Sequence, residues 1–348
     1  MTTTSTSDVL GPAIGLRVPP CRPAVEVAAF ARHVEGLGFD RVYFPDSQLL
    51  WRDPYLTMFA AASATSDLVL GTAVTNVVTR HPSVVAGVVR SVAEAAPGRV
   101  HLGLGVGNSS VEPIGLRPSR QAELRDGIAQ IRGLLSGADV QVNGCIARQR
   151  DAHPGVPVYV AASGPQNLGL AGAIGDGAIL LSGVSPALLD RGVSLVRQGA
   201  TDAGRDPASV DLVVSAYAMV TDDVERDARI LKPVLAGMAQ HGARAVLETV
   251  GIHADVPAQV PEIYPDLVHA EDWSLAVEHC SRWISDADAV RYAEEFCLFG
   301  SAEHIAERIR DARARGASTL YLQHVGSYDL PERLAEDIAG RVLPLLAA

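Results

Sequence analysis

The stretch Val42-Tyr43-Phe44-Pro45-Asp46-Ser47 decides the fold, together with two later stretches built in the same way. Each is an apolar run that ends in small or polar residues, and the later two end in Val74-Thr75-Asn76 and Gly103-Leu104-Gly105-Val106-Gly107-Asn108. Parallel strands that end this way bring polar groups to one rim of a sheet. The repetition predicts a single site built from many strand ends, as in the active site of a (β/α)8 barrel.

Short apolar runs rich in Val, Ile and Leu recur along the chain, and amphipathic stretches follow them. Nearly continuous apolar runs are typical of strands buried on both faces, and their alternation with helices predicts a parallel sheet. The predicted strands are residues 13–18, 41–46, 68–76, 100–107, 156–163, 177–183, 211–220 and 319–325. The predicted helices are residues 23–37, 53–65, from 82 onward, 119–135, 165–174, 186–203, 222–250 and 331–346.

A doubly wound open sheet gives the same alternation and is the rival architecture. Eight strands without a linker-like segment favour the closed form, so we predict an α/β fold, a (β/α)8 TIM barrel. We expect one barrel domain over residues 1–348, with residues 1–10 as a flexible Ser/Thr-rich tail. Residues 251–300, which contain several Pro and Trp, are predicted to be an insertion near the barrel mouth, before the last strand.

Composition narrows the functional class. The net charge of -11 argues against nucleic-acid and anionic-membrane partners, and no apolar run is long enough for a membrane helix. The four cysteines lack metal-site or disulfide spacing, which favours free thiols in a reducing compartment. With no apolar signal segment at the start, we expect a cytoplasmic protein that acts on a small-molecule substrate and holds no metal.

The end of the second predicted strand offers Asp46 and Ser47, with Trp51 close behind. Such groups can contact a polar heterocycle, on which the indole could stack. The alternative is that Asp46 caps the next helix and Trp51 packs at the rim. At the end of the next strand, Gly71 allows a bulge that presses backbone against a flat ring. Arg80, just beyond, binds an anion or pairs with a rim carboxylate.

The glycine run at 103–107 is not a dinucleotide-binding fingerprint, because no helix starts there. As a flexible, amide-rich loop beside Asn108, it suits the hydroxyls or ring edge of a cofactor. Ser163-Gly164-Pro165-Gln166-Asn167 opens a helix whose first-turn amides attract phosphate, with a plain cap as the alternative. The segment 182–185 is a weaker second candidate. Gln323 and His324 complete the rim, and His324 is a proton donor, a substrate contact or a structural histidine.

The rim is short of strong bases, and the motifs of metalloproteases, serine hydrolases and Walker loops are missing from the sequence. That composition fits chemistry performed by a bound organic cofactor, which the protein orients.

In combination and in order, these residues resemble the luciferase-like flavin and deazaflavin oxidoreductases, and most of all the coenzyme F420-dependent branch that includes methylenetetrahydromethanopterin reductase. The pieces that carry the resemblance are Gly36-Leu37-Gly38-Phe39-Asp40, Val74-Thr75-Asn76 with Thr79-Arg80-His81-Pro82, residues 103–107, residues 158–165, Gly175-Asp176-Gly177 and Phe299-Gly300-Ser301-Ala302-Glu303.

The resemblance implies a barrel with the deazaflavin or flavin ring across its mouth, and a non-prolyl cis peptide bond between Thr72 and Val74. It implies a homodimer as well, since family members are often dimers. It assigns cofactor contacts to Asp46, Ala73, Val74, Thr75, Val106, Gly107 and Asn108, and phosphate contacts to Ser163, Gly164, Gln166 and Asn167.

Ser47 and Asn108 stand where some F420-dependent dehydrogenases place a catalytic histidine and glutamate. Acid/base dehydrogenation of a sugar phosphate therefore fits less well than reduction of a C=C, C=N or C=O bond, with the proton from solvent, Ser47 or His324. The expected function is hydride transfer between F420 and a small organic substrate. An FMN-dependent monooxygenase and a non-catalytic flavin-binding barrel are the alternatives.

Overall fold

A computed structural model describes residues 13–153, 155–326 and 328–347. The strands are β1 (Ala13–Arg17), β2 (Arg41–Phe44), β3 (Val69–Thr72), β4 (Val100–Leu104), β5 (Val140–Val142), β6 (Cys145–Ala147), β7 (Val158–Ala162), β8 (Gly177–Leu180), β9 (Asp211–Val220), β10 (Leu298–Gly300) and β11 (Thr319–Gln323). Eight of them form a closed parallel ring in the order β1, β2, β3, β4, β7, β8, β9, β11, because β8 pairs with β9 and β11 pairs with β1. The predicted TIM barrel is confirmed.

Helices surround the ring. They are α1 (Ala24–Gly36), α2 (Pro54–Ala64), α3 (Pro82–Ala95), α4 (Gln121–Leu135), α5 (Pro165–Ile174), α6 (Pro186–Asp202), α7 (Val224–Asp227), α8 (Lys232–Met238), α9 (Arg244–Thr249), α10 (Trp273–Cys280), α11 (Asp286–Phe296), α12 (Ala302–Ala314), α13 (Glu332–Asp337) and α14 (Leu343–Ala347). Proline opens α2, α3, α5 and α6. A first-turn position has no intrahelical partner for its N–H, so proline loses nothing there.

Several predicted elements differ from the observed ones. Most barrel strands end before the polar rim residues that were assigned to them, because those residues leave the ladder for the loops. The predicted helix 222–250 is wrong as a single helix: it is broken at His241 and Gly242, where Gly242 has a φ of 87°. The last helix contains a wider turn at Ile338–Val342 between α13 and α14. The antiparallel hairpin β5–β6 and the short strand β10 were not predicted.

The inside of the ring is filled by aromatic side chains for which glycines leave the space. Tyr43 and Tyr159 are almost fully buried there. A Cβ atom at Gly15 or Gly71 would lie 2.9 or 2.8 Å from the ring of Tyr43, and one at Gly177 would lie 2.2 Å from the ring of Tyr159. Residues at alternate positions of the strands face outward and pack against the helices. The barrel is therefore a packed core, and any site has to lie at its mouth.

Residues 251–300 form loops, α10, α11 and β10 around a second apolar cluster. This segment is attached to the barrel through β9, which is ten residues long and extends beyond the ring of strands. The first part of β9 pairs with β8 and β11, and its last three residues pair with β10. The carboxyl end of β9 therefore carries this segment at the same rim as the candidate site residues. The expectation for residues 1–10 lies outside the described part of the chain.

Three further findings concern the described residues. No helix among them combines the length and apolar character required to cross a bilayer. The four cysteines are free thiols, and Cys145 is the exposed one. No group of three or more potential ligands within the described ranges could hold a metal ion.

We predict that Gly177→Ala destabilises the protein by about 1–3 kcal/mol, because the new methyl group would overlap a ring that cannot move away. That ring is anchored by its hydroxyl, which donates a 2.6 Å hydrogen bond to Asp211. Gly169→Ala is the matched control, since a Cβ there meets no atom within 4 Å and the site is helical. The free energy of unfolding of the control variant should rise by about 0.5–1 kcal/mol. Urea unfolding measures both, and equal stabilities would contradict the packing argument.

Candidate active site at the carboxyl ends of the strands

The end of β3 forms a bulge at the mouth of the barrel. Ala73 and Val74 leave the ladder, are joined by a cis peptide bond and pack against the aromatic side chains inside the ring. Thr75 then rejoins β4: its N–H donates to the Gly103 carbonyl, and its own carbonyl accepts from the Gly105 N–H, both at 2.9 Å. The predicted non-prolyl cis bond between Thr72 and Val74 is confirmed. A patch of backbone and small side chains therefore crosses the floor of the mouth.

The glycine run on β4 is explained by this bulge. A Cβ atom at Gly103 would lie 2.0 Å from the carbonyl oxygen of Thr72, and one at Gly105 would lie 2.8 Å from Val74 Cγ2. Gly107 has a φ of 81° and lies against Asn76. The interpretation of these glycines as a flexible loop is therefore incomplete. Close packing against the end of β3 accounts for them, and Val106 and Gly107 continue from there along the rim.

Asp46 is the centre of a buried ion-pair network. Its side chain is 2% exposed and accepts hydrogen bonds from the Thr75 hydroxyl at 2.7 Å and from Arg80 Nε at 2.8 Å. Arg80 also contacts Asp53 at 2.9 Å, and these carboxylates raise the pKa of its guanidinium against the effect of burial. The alternative that Asp46 caps α2 is wrong, because Asp53 accepts from the first-turn amides of that helix. Asp46 instead fixes the end of β3.

Ser47 and Asn108 lie in neighbouring loops. The Ser47 side chain is buried, and its hydroxyl is 2.8 Å from the hydroxyl of Ser109. Asn108 is exposed, and its backbone carbonyl accepts from the amides that begin the next turn. The hydroxyl pair therefore connects the loop after β2 with the loop after β4. Of the two residues, Ser47 is the one held in a fixed position.

The N-terminus of α5 has the features expected of an anion site. Gly164 is the capping residue in extended conformation, and no side chain caps the helix. A Cβ at Gly164 would meet no atom within 4 Å, so the approach to the first-turn amides is open. Ser163 and Gln166 are exposed beside it, and the Asn167 amide oxygen accepts from Gln121 at 2.9 Å. A plain cap, the alternative to a phosphate site, would therefore be provided by Gly164 without a capping side chain. The weaker candidate keeps two buried hydroxyls, Ser182 and Ser185, without a partner among the described residues.

His324, just beyond β11, is half-buried, and its two ring nitrogens are shielded from solvent without a hydrogen-bond partner in the described residues. Burial, and then the positive charge of Arg17, lower the pKa of His324 to about 4. The imidazole is therefore neutral at neutral pH. It can offer an N–H group, but it cannot act as an imidazolium acid. Nearby, Gln323 donates to the Ser215 hydroxyl at 2.7 Å.

The sequence reasoning missed Arg17, which is 7% exposed at the carboxyl end of β1. Its guanidinium carbon lies 5.5 Å from the centroid of the Trp51 ring. Trp51 also stacks on the ring of Tyr328. This packing supports the rim-packing interpretation of Trp51. The alternation along β1 could have revealed Arg17, because Ile14 and Leu16 face the helices while Gly15 and Arg17 face the inside of the ring.

Comparison with known proteins places this arrangement in a family. The sequence model of the family described as luciferase-like monooxygenases matches residues 5–319. The chain belongs to this family. Among its luciferase-like relatives, a 5,10-methylenetetrahydromethanopterin reductase of Methanolobus tindarius is 32% identical over 253 residues, covering 71% of this chain and 77% of the relative. An F420-dependent glucose-6-phosphate dehydrogenase of Beutenbergia cavernae is 31% identical over 339 residues, covering 91% and 93%.

The fold is that of a solved luciferase-like structure, the coenzyme F420-dependent tetrahydromethanopterin reductase of Methanopyrus kandleri. Its TM-score is 0.76 at 19% identity, over 97% of this chain and 99% of that one. The resemblance drawn from the motifs is confirmed at the level of family and fold.

We predict that Arg80→Met destabilises the protein by roughly 3 kcal/mol, since it leaves the buried Asp46 carboxylate with only a hydroxyl partner. Arg148→Met is the matched control: Arg148 pairs with Asp139 on the hairpin, with both side chains more than half exposed. The control should leave the melting temperature unchanged. Thermal unfolding followed by circular dichroism measures both. Equal melting temperatures for the two variants would show that the Asp46 network does not stabilise the rim.

Proposed function

We propose that this protein is an F420-dependent oxidoreductase that reduces a C=C, C=N or C=O bond of a small organic substrate by hydride transfer. The observation that carries the proposal is the bulge at Ala73 and Val74, which gives the barrel mouth a floor of backbone and small apolar groups. Such a floor fits one face of a planar tricyclic ring. The reductase and dehydrogenase named above as relatives support F420 over other ring cofactors.

The described residues fit the two ends of such a cofactor. Ala73, Val74 and Thr75 would lie under the ring, and Asp46 would act through the Thr75 and Arg80 contacts that fix this floor. Val106, Gly107 and Asn108 follow along the same rim. The open first turn of α5 would hold the phosphate through its amides, with Ser163, Gly164, Gln166 and Asn167 around it.

When bound, the deazaflavin supplies the hydride from its C5 carbon. The protein's own contribution is to hold the substrate close and in line, an effect that can supply roughly 7–11 kcal/mol of the barrier. For the proton, the neutral state of His324 favours the other two sources, water or the Ser47 hydroxyl with Ser109 hydrogen-bonded behind it. Ser47, Asn108 and His324 stay the proposed catalytic residues, with Ser47 the best placed.

The FMN-dependent monooxygenase is the second candidate, because the matched family carries that description. Both functions use the same floor and the same phosphate site. Titration of the purified protein with F420 and with FMN separates them. We expect F420 to bind and FMN to bind much more weakly. Reduced F420 should be oxidised when an unsaturated substrate is added. Preference for FMN would support the monooxygenase, and binding without turnover on any substrate class would support a non-catalytic barrel.

Gly164→Leu tests the phosphate site in the same titration. We expect F420 affinity to fall by about tenfold or more, because the side chain would fill the approach to the first-turn amides. The melting temperature should not change, since the position is open. Gly36→Leu is the control: it is equally open, but it lies at the end of α1, away from the mouth. Equal affinities in both variants would exclude the start of α5 as the phosphate site.

We further propose that the protein is a homodimer formed through α2 and α3. Helix α2 is apolar on all sides, which is typical of a helix buried all round, yet Leu56 is 69% and Phe59 is 48% exposed. Val84 on α3 is exposed beside them. We expect Phe59→Glu to halve the mass measured by light scattering, because a charge would have to be buried at the interface. The control Ile146→Glu alters an exposed apolar residue on the hairpin. A wild-type mass of one chain would refute the dimer.

We also propose a cytoplasmic location. The support is the set of four free cysteines, one of them exposed, which is typical of proteins kept in a reducing compartment.

A further inference from the structure

Arg17 is a buried cation that pairs with no carboxylate among the described residues. It occupies the inward-facing side of β1 at the mouth, with 7% of the residue exposed. Its guanidinium packs on the Trp51 indole and forms no ion pair or hydrogen bond with any residue that the structure describes. Arg80, on the same rim, shows the usual arrangement, because two carboxylates compensate its charge. A largely buried guanidinium is more favourable when a ligand accepts hydrogen bonds from its N–H donors.

The polar groups around Arg17 also lack hydrogen-bond partners, and the neutral His324 ring has one N–H donor and one acceptor nitrogen. The Trp51 Nε1 atom, the Tyr321 hydroxyl and both His324 ring nitrogens are buried and unpaired in the described part of the chain. Tyr321 is on the neighbouring strand β11, in register with Gly15, and Tyr217 is on β9, in register with Gln323. Burial raises the pKa of both tyrosines, and the charge of Arg17 opposes that rise. One cation and several N–H or O–H groups therefore border the same part of the mouth. That donor set is the one that recognises an oxyanion.

The acidic side chains of the surrounding loops are occupied by other partners. Asp266 accepts from His269 and from two backbone amides, and Asp329 pairs with Arg22. Asp46 is held by Arg80 and Thr75. Among the described residues, these carboxylates are therefore not available to Arg17, and an anionic ligand can take their place.

The position of Arg17 separates this anion from the cofactor's phosphate. In the ring of eight, β1 lies four strands away from β7 in either direction, and β7 leads into the N-terminus of α5. The bulge of β3 occupies the floor between these two sides. An elongated cofactor with its phosphate at α5 would therefore leave the Arg17 side of the mouth for the second reactant.

We propose that Arg17 is a substrate-binding residue and that the substrate is an organic acid whose carboxylate it holds. Trp51 packs against its guanidinium, and Tyr217 and Tyr321 are on the nearby strands β9 and β11, which suits a planar, unsaturated acid. Arg presents a planar fork that matches a carboxylate with two parallel hydrogen bonds. The assignment of this acid as the compound that is reduced rests on the proposed function, whereas the binding of a carboxylate at Arg17 does not.

The test uses cinnamate as the probe acid, cinnamamide as its neutral analogue and phenyl phosphate as the alternative oxyanion. Calorimetric titration is run on the full chain, both without F420 and saturated with it. We expect the wild type to bind cinnamate better than either other probe in at least one of these states. Arg17→Met should weaken cinnamate binding by roughly 10–100-fold, the loss expected for hydrogen bonds to a charged group. Arg17→Lys should fall between, and the surface control Arg148→Met should match the wild type.

Two further measurements keep the result unambiguous. The melting temperature of ligand-free Arg17→Met should be equal to or above that of the wild type, because methionine replaces the stem and removes an uncompensated charge. Its affinity for F420 should be unchanged, which separates this inference from the proposed function. Failure of wild-type F420 binding would count against the function alone. The inference is overturned if cinnamate fails to bind the wild type in both states, if Arg17→Met binds it equally well, if phenyl phosphate binds more tightly, or if Arg17→Met loses F420 instead.

Discussion

The contact on which the mouth of this barrel depends is the one between the end of β3 and the glycines of β4. The carbonyl oxygen of Thr72 occupies the space of a side chain at Gly103, and the Thr72 hydroxyl donates to the Gly103 carbonyl at 2.8 Å and accepts from its N–H at 3.0 Å. This side-chain hydroxyl stands in for the backbone groups that the bulge takes out of the ladder. The backbone polar groups thus stay paired while Ala73 and Val74 point to the inside of the barrel.

Charge is distributed over the same rim in two different ways. Around Asp46, every charge has a partner, and the network holds the loops after β2 and β3 in place. Around Arg17, the positive charge has aromatic neighbours and no carboxylate among the described residues. The network around Asp46 makes the rim rigid. The unpaired charge of Arg17 is suited to binding an anionic ligand. The rim therefore combines a part that stabilises the fold with a part that does not, as enzymes commonly do at their sites.

The sequence predicts the architecture well because that information is local. Apolar runs of strand length, first-turn prolines such as Pro165 and Pro186, and polar strand ends all belong to single segments of the chain. The prediction fails where a long-range contact decides. The glycine run at 103–107 looks like a loop motif, and only its contact with Thr72 and Val74 explains it. The role of Asp46 depends on Arg80, 34 residues away, and on the fact that Asp53 already caps α2. The alternation along β1 places Arg17 on the inward face of the strand, but its lack of a carboxylate partner becomes visible only when its neighbours are known.

The ten-residue strand β9 belongs to two structures at once, since one part closes the barrel and its tip pairs with β10. The pairing ties the end of this segment, Leu298–Gly300, to the barrel wall, so that end cannot move away as a hinged cover without breaking its hydrogen bonds to the tip of β9. A reactant that passes this part of the rim therefore requires rearrangement of individual side chains and short turns, and not a movement of the whole segment.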